Sequence, residues 1–486
     1  MYTDGNFLVS QRPYFRVLTE KQLEDIHFAS LRVLEKTGMV FNLPEAVDML
    51  MSVGCHKIGG NRISIPSYLV EEALRTAPKQ IRISDREGDP AMLLAGRNVY
   101  YGTGSDLPNV VDLYSGERRR AMVKDVGIFA KLSDYLPNID FVMSMALASD
   151  VPVEVADLYH FHGMVCNTIL PILFTAANKK RLEDIYRMCV AVRGSKEEFE
   201  KEPFVVHYSE PVSPLQHSKD GLEKLLFCAK YGIPITYPSG TSLGATAPVT
   251  IAGAMVMSNV EFLSGLVLSQ LKRKGAPIIY GGGNSAIDMR TAAYTYAAPE
   301  DWLNGMVMRE LSAYYDLPCF GEGGCGDAEV FDEQAASEAT SSLWLCSLIG
   351  QNLIHDVGYI GAGLTGSCEM LLLCDEVIDQ VKRFIKGVEV SEDTMAVDVL
   401  DSVGPGGNFL TDDHTLKHFR TAIWNSGVFN KTSYNQWLED GGKTLGKVIN
   451  EKVRWILENH IPKPIDPAVE KEIQSIIQNE ESKIKK

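Results

Sequence analysis

Residues 277–285 read PIIYGGGNS, a short β-branched run that ends in glycines and a polar pair. The preceding stretch, IAGAMVMSNVEFLSGLVLSQL at 251–271, carries apolar residues three and four positions apart and predicts a long helix. Before that helix, IPITYPSGTS at 233–242 has the composition of another short strand. A strand, a helix and a second strand in this order predict a parallel βαβ unit.

The same alternation extends along the chain in both directions. Further strand-like runs each end in a Gly, Ser, Pro or acidic cluster, and the starts of neighbouring runs are about 30 to 45 residues apart. They are NVYYGTGSD from 98, DFVMSMALASD from 140, LPILFTAANKK from 170, PFVVHYSEPVSP from 203, LPCFGEGGCGD from 317 and NLIHDVG from 352. Eight such units predict an α/β fold of the (β/α)8 TIM barrel type. A doubly wound open sheet is the alternative, but it seldom runs to eight regular units.

The barrel pattern divides the chain into three predicted parts. Residues 98–387 form the (β/α)8 barrel, which is the catalytic domain. Residues 1–97 contain amphipathic helices and two β-branched runs, which predict an N-terminal helical α/β cap. Residues 388–486 form a C-terminal helical extension that begins with a Gly-Pro-rich turn and ends in a charged helix.

Composition excludes several classes of protein. Lys and Arg number 47 and Asp and Glu number 63, so the net charge of −16 disfavours nucleic acid as a partner. No apolar run predicts a membrane span, and no signal peptide is visible. Nine cysteines without a framework spacing predict reduced thiols and a cytoplasmic location.

The carboxyl ends of barrel strands converge on the site, and here they are rich in tyrosine and carboxylates and poor in Lys and Arg. Ring faces and carboxylates both attract a cation, so this composition predicts a positively charged ligand. The alternative is that single tyrosines only cap the barrel interior with their hydroxyls in water. The predicted substrate-binding residues are Tyr101, Tyr208, Tyr237, Tyr280 and Phe331 as a cation-facing wall, with Glu210, Asn284, Glu322 and His355 for the polar end of a substrate.

Two glycine-rich motifs match known patterns without the surroundings that those patterns require. Residues 321–326 spell GxGxxG after a strand, yet the acidic residues within 327–333 would repel a pyrophosphate. Residues 240–244 spell GxSxG but lack the immediate strand-to-helix turn and a partner histidine. Neither nucleotide binding nor serine hydrolase chemistry is favoured.

Histidines and cysteines give only weak indications of a metal. His414 and His418 are four residues apart on a predicted helix and could share a metal, but the sequence shows no third ligand. Cys319 and Cys325 are too far apart for the short ligand hairpins of structural zinc sites. A catalytic zinc held by one of these cysteines with His355 stays an alternative, whereas the favoured interpretation has no metal ligands.

Four segments carry a resemblance to a known family. They are PSGTSLGATAPVTIAGAMVMSNVEFLSGLVLSQL, GAPIIYGGGNSAIDMRT, GDAEVFDEQAASEATSSLWLCSLIGQNLIHDVGYIGAGLT and VGPGGNFLTDDHTLKHFRTAIWN. In this order they resemble the trimethylamine methyltransferase family, and in particular its branch that lacks pyrrolysine. The similarity runs through essentially the whole chain.

The resemblance implies a (β/α)8 methyltransferase that moves a methyl group from an amine to the Co(I) of a cobalamin. The cobalamin is carried by a separate small corrinoid protein, so no cofactor is expected to bind tightly to this chain. The founding branch has pyrrolysine after the seventh strand, at a position corresponding to Gly326–Asp332, where this chain has ordinary residues. The resemblance therefore implies a quaternary amine substrate, with glycine betaine leading and proline betaine, carnitine or butyrobetaine as alternatives.

Other interpretations stay open at this stage. One is a zinc-dependent methyltransferase on the same fold, and another is a non-catalytic betaine-binding protein. A homo-oligomer is also open, since the terminal segments could form a subunit interface.

Overall fold

The computed structural model describes residues 15–484, apart from the side chain of Asn284. Parallel strands form the predicted barrel, and in the ring each strand lies beside its neighbour in sequence, with the last strand beside the first. Residues 141–142 hold the second position, through isolated parallel bridges from Phe141 to Gly102 and from Val142 to Ile172. The other positions are held by Tyr100–Tyr101, Ile172–Phe174, Val205–Tyr208, Ile235–Thr236, Ile278–Ser285, Cys319–Glu322 and Leu353–His355. The predicted TIM barrel is therefore confirmed.

A helix follows each strand position and packs outside the ring. Side chains at Asn178, Ser218, Asp332 and Ser367 accept hydrogen bonds from the first turns of the helices that they precede. The eight barrel helices are Val123–Tyr135, Ala156–Val165, Lys179–Arg193, Lys219–Tyr231, Ile251–Lys272, Pro299–Tyr314, Glu333–Ile349 and Cys368–Ile385.

The helix Ile251–Lys272 is the one described helix that is long and apolar enough to cross a membrane. Within its most apolar 18-residue window, 78% of the residues are buried inside the protein. It packs between the barrel wall and the N-terminal helices Glu20–Lys36 and Ser67–Thr76. Burial on most sides accounts for its apolar composition.

A β-hairpin closes the amino-terminal end of the barrel. Its strands, Ile81–Ser84 and Pro90–Leu94, contribute apolar side chains to the cluster that fills the barrel interior. From the strands, this cluster includes Tyr100, Phe141, Met143, Leu173, Val206, Ile279, Phe320 and Leu353. Because the interior is filled from the hairpin upward, space for a ligand is left at the carboxyl end of the strands.

The remaining N-terminal elements are joined to the barrel by a sheet. Strand Met39–Phe41 pairs with Arg62–Ser64 and also with Gln216–His217, which follows the fourth barrel strand. His56–Gly59 completes this sheet, and Pro44–Ser52 is the further helix of the segment. The cap is thereby fixed to the side of the barrel.

The C-terminal extension contains two kinds of helix. Leu445–Asn459 and Pro467–Ile484 bury isoleucine and valine side chains in the main core. In contrast, Glu392–Met395, Val397–Val403, Asp413–Ala422 and Tyr434–Glu439 bury no residue. The division at residues 97 and 387 stays a prediction, although the barrel elements themselves run from Tyr100 to Ile385.

Shortening a hairpin side chain in the barrel floor tests this packing. Met92 is fully buried in the interior cluster, so Met92→Ala is expected to lower the free energy of unfolding by about 2–5 kcal/mol in chemical denaturation. The matched control is Met51→Ala at a residue that is 40% exposed, which should cost less than about 0.5 kcal/mol. Equal effects of the two substitutions would contradict the proposed closure of the barrel by the hairpin.

Candidate functional site

A cavity of about 170 Å³ lies at the carboxyl ends of the later barrel strands. It is smaller than the 300–1,000 Å³ typical of drug-sized ligands, so it suits a small molecule. Strand ends and the loop after the sixth strand supply its walls. The side chains that line it are Tyr208, Glu210, Pro238, Tyr294, Tyr296, Asp301, Met308, Phe320, Glu322, Gln351, His355 and Asp356.

The alternation of side chains along each strand decides which residues reach this cavity. Successive side chains of a strand point to opposite faces, so every second residue faces the barrel interior. Val206 lies in the interior cluster, and Tyr208 follows two residues later on the same face. In the same way Phe320 leads to Glu322, and Leu353 leads to His355.

The structure brings four of the predicted residues together around the cavity. They are Tyr208, Glu210, Glu322 and His355. The hydroxyl of Tyr208 donates a hydrogen bond to Oε2 of Glu210 at 3.0 Å, and its ring lies 5.7 Å from that of Phe320.

Three predicted tyrosines instead face the helix layer, so their rings do not form part of the cavity wall. The hydroxyl of Tyr101 hydrogen-bonds to Ser347 at 2.7 Å, and that of Tyr280 donates to Asn259 at 3.1 Å. The hydroxyl of Tyr237 lies 2.9 Å from Nδ1 of His217. Tyr101 and Tyr280 directly follow interior residues of their strands, so alternation turns their rings outward.

Two further predicted residues do not contribute a described side chain to the cavity. Phe331 packs against the main core beside Gly446 of the C-terminal extension, outside the cavity lining. Asn284 lies within the sixth barrel strand, but its side chain is outside the described residues.

Several cavity residues were not predicted. Tyr294 and Tyr296 come from the loop after the sixth strand, and Asp301 comes from the first turn of the next helix. Asp356 directly follows the inward-facing His355, so strand alternation alone would direct its side chain outward. Its backbone is instead left-handed, with φ of 69°, and its side chain lines the cavity. The sequence signals for this group are the position of Asp356 at a strand end and that of Asp301 directly after Pro299-Glu300 at a helix start.

Carboxylates dominate the electrostatics of the cavity. Burial, together with the nearby Asp356, raises the pKa of Glu322 to about 7. Burial likewise raises the pKa of Asp356 to about 7 and that of Asp301 to about 8. No Lys or Arg lines the cavity in residues 15–484, so no permanently charged basic side chain stands beside these carboxylates there. A bound cation would favour their ionised forms.

His355 is held in one tautomer by the backbone. Its Nδ1 lies 2.7 Å from the carbonyl oxygen of Gly321, which can only accept, so Nδ1 carries the hydrogen. Its Nε2 then faces Oδ1 of Asp356 at 3.3 Å. Burial lowers the pKa of His355, so the ring is neutral and its Nε2 can accept a hydrogen bond from a protonated Asp356.

The zinc site considered from the sequence does not form around the cavity. In the described part of the chain, metal-ligating groups of three or more come together at two places, and neither includes Cys319, Cys325 or His355. The thiol of Cys319 lies on the helix side of its strand, 3.6 Å from the sulfur of Met308.

Comparison with known proteins gives a family for this barrel and cavity. A family model described as trimethylamine methyltransferase (MTTB) matches residues 2–485. The chain belongs to this family. Membership indicates a methyltransferase, in agreement with the resemblance found in the sequence.

Individual relatives span nearly the whole chain. A trimethylamine methyltransferase MttB from Methanosarcina barkeri is 32% identical, covering 95% of this chain and 94% of its own length. A glycine betaine methyltransferase from Desulfitobacterium hafniense is 28% identical, with 96% and 97% covered. The crystal structure of the Methanosarcina barkeri monomethylamine methyltransferase matches with a TM-score of 0.53 at 11% identity, over 95% of this chain and 90% of that one. This last match supports the fold alone.

The raised pKa of Glu322 predicts a pH dependence of stability. Between an ordinary carboxyl pKa of about 4.3 and its folded pKa of about 7, the folded chain holds a proton that the unfolded chain has released. Stability contributed by this group is therefore lost as the pH rises from 5 to 8. In thermal unfolding, Glu322→Gln should show a smaller fall of the midpoint over this range than the wild type.

The control for this measurement is Glu389→Gln, which changes an exposed carboxylate of the C-terminal extension. It should keep the wild-type slope. Identical slopes for Glu322→Gln and Glu389→Gln would contradict the burial of a protonated Glu322.

Proposed function

We propose that this protein transfers a methyl group from a quaternary amine, with glycine betaine the leading substrate, to the Co(I) of a corrinoid carried by a separate protein. The observation that carries the proposal is a small cavity that combines aromatic rings with carboxylates and has no Lys or Arg among the described residues of its lining. Membership of the methyltransferase family supports the reaction class. The named activity of the glycine betaine methyltransferase relative supports the choice of substrate.

The aromatic rings suit the cationic end of such a substrate. Tyr208 and Phe320 stand on neighbouring parts of the wall, and Tyr294 and Tyr296 face the cavity from the loop with ring centroids 5.0 Å apart. A quaternary ammonium cannot donate an N–H hydrogen bond, so ring faces and nearby carboxylates are its natural partners. These groups would hold the ammonium without a strong directional bond, which leaves one methyl free to point outward.

The reaction needs little proton chemistry from the protein. The corrinoid, when present, supplies a nucleophilic Co(I) centre that accepts the methyl group. The electron pair of the broken C–N bond stays on nitrogen, so the product leaves as a neutral tertiary amine and no general acid is required. The main tasks of the cavity residues are therefore to orient the substrate and to exclude water.

The size of the cavity bears on where the corrinoid can lie. About 170 Å³ accommodates a small amine but no corrin macrocycle, which has dozens of non-hydrogen atoms. A corrinoid would therefore have to approach the mouth from outside. The cavity size therefore supports a corrinoid that is bound by a partner protein, and it does not support one that is held tightly by this chain.

The carboxylate of glycine betaine needs a hydrogen-bond donor in an acidic cavity. Glu322 and Asp356 both have a pKa of about 7, so either can keep its proton near neutral pH and donate a hydrogen bond to the substrate carboxylate. The remaining ionised groups can then face the ammonium. This division of roles among neighbouring carboxyl groups would let an acidic cavity accept a zwitterion.

A substrate panel tests the reaction directly. The purified chain would be mixed with a reduced corrinoid protein and glycine betaine, proline betaine, carnitine, butyrobetaine or trimethylamine, and the visible spectrum of the corrinoid would be followed. We expect methylation with a quaternary amine and none with trimethylamine. Failure with every quaternary amine would overturn the proposal, and calorimetric binding of a betaine without transfer would favour a non-catalytic binding protein.

Neutralising a cavity carboxylate should weaken the reaction. At pH 8, above its pKa of about 7, Glu322 is largely ionised and faces the ammonium, so Glu322→Gln is expected to lower kcat/KM for the quaternary amine by about 10- to 100-fold, equivalent to about 1.4–2.7 kcal/mol. The matched control is Glu329→Gln, since Glu329 follows the same strand, is 71% exposed and lies outside the cavity. Equal losses in the two variants would show that net charge matters and the cavity carboxylate does not.

A further inference from the structure

The segment after the last barrel helix has no hydrophobic core of its own. We call residues 388–423 the terminal arm. All of its residues are described, and none is buried. Its helices are Glu392–Met395, Val397–Val403 and Asp413–Ala422. A small unit without a core is commonly held together by a metal or another crosslink.

Three metal-ligating side chains meet inside the terminal arm. His414 and His418 lie four residues apart on the last helix of the arm, and their ring centroids are 4.4 Å apart. Asp393, from the first helix, places Oδ2 3.1 Å from Nε2 of His418. One ligand atom from each residue lies within 4.8 Å of the other two. The pair of histidines noted in the sequence therefore acquires a third ligand in the fold.

We propose that the terminal arm binds one divalent transition-metal ion, zinc in the first place, through Asp393, His414 and His418. Two imidazoles and one carboxylate are a common protein ligand set for zinc, and they leave a fourth position for water. The ion would link the first and last helices of the arm. The site shares no residue with the cavity lining, so it is structural with respect to methyl transfer.

The surroundings of His418 support a metal over a simple hydrogen bond. Its Nε2 is shielded from solvent and makes no hydrogen bond of acceptable geometry, although the Asp393 carboxylate is 3.1 Å away. A shielded polar atom without a partner is rare in folded proteins, and a metal ion would satisfy it.

Lys417 competes for the same carboxylate. Its Nζ lies 2.7 Å from both oxygens of Asp393, and its side chain is 60% exposed. An exposed ammonium of this kind can move into solvent when a divalent ion arrives. Removal of Lys417 should therefore increase the affinity for the metal. If the arm were held together only by ion pairs, the same change would instead lower the stability of the arm.

A second cluster on the molecule serves as a control. His162, Cys166 and Glu470 also bring ligand atoms within 4.8 Å of one another, between a barrel helix and the last helix of the chain. Nε2 of His162 is also shielded without a hydrogen bond, so that feature alone does not separate the two clusters. This junction, however, is already held by buried isoleucines, and the positive charge of Arg86 acts on Cys166 and opposes a cation there. We expect no stoichiometric metal at this second place.

Metal analysis of the full chain tests the proposal. Protein stripped with a chelator would be incubated with Zn²⁺, desalted and analysed by mass spectrometry for bound zinc. The wild type and Cys166→Ser should each retain about one zinc per chain. His414→Ala and His418→Ala should bind zinc at least about 10- to 100-fold more weakly, and Lys417→Ala a few-fold more tightly.

Limited proteolysis gives a second measurement that does not depend on retention through desalting. Zn²⁺ should slow cleavage within residues 388–423 in the wild type and in Cys166→Ser, but should not slow it in either histidine variant. The proposal is overturned if the wild type retains no zinc. It is also overturned if the histidine variants bind zinc as the wild type does, or if only Cys166→Ser loses it.

Discussion

The alternation of side chains along the strands of a closed barrel determines most of the site. Each strand directs every second residue inward, and the hairpin and apolar side chains fill the lower interior. Only the inward residues nearest the carboxyl end are left to surround open space. Tyr208, Glu322 and His355 reach the cavity for this reason, while Tyr101 and Tyr280, one residue away from interior positions, pack under helices.

Electrostatics give this space its chemical character. Carboxyl groups are buried at the mouth with no Lys or Arg in the described lining, and their raised pKa values reflect the cost of ionising them there. A bound quaternary ammonium would reduce that cost, since it supplies the missing positive charge. The aromatic rings then contribute attraction and exclude water. The acidic composition of the whole chain is in keeping with such a site, but the proposed preference for a cation rests on the local arrangement.

The sequence was sufficient for the fold and for about a third of the side chains that line the cavity, four of twelve. Each of the eight strand-like runs corresponds to a barrel position, because short β-branched runs and amphipathic helices at regular spacing leave few other architectures. The direction of a side chain was harder to predict, since it requires the inward residue of each strand to be known. Tyr296 and Asp301 come from a loop and a helix start, and Asp393 meets His414 only through the path of the arm. Such contacts depend on three-dimensional packing that local patterns do not encode.

A crystal structure of the protein with glycine betaine would test the central claim most directly. The account predicts the trimethylammonium group in the cavity, within about 6 Å of the rings of Tyr208 and Tyr296 and facing an ionised carboxylate. It also predicts the substrate carboxylate next to Glu322 or Asp356. An empty cavity at saturating glycine betaine, or a ligand bound with its ammonium directed away from these rings and carboxylates, would contradict the account.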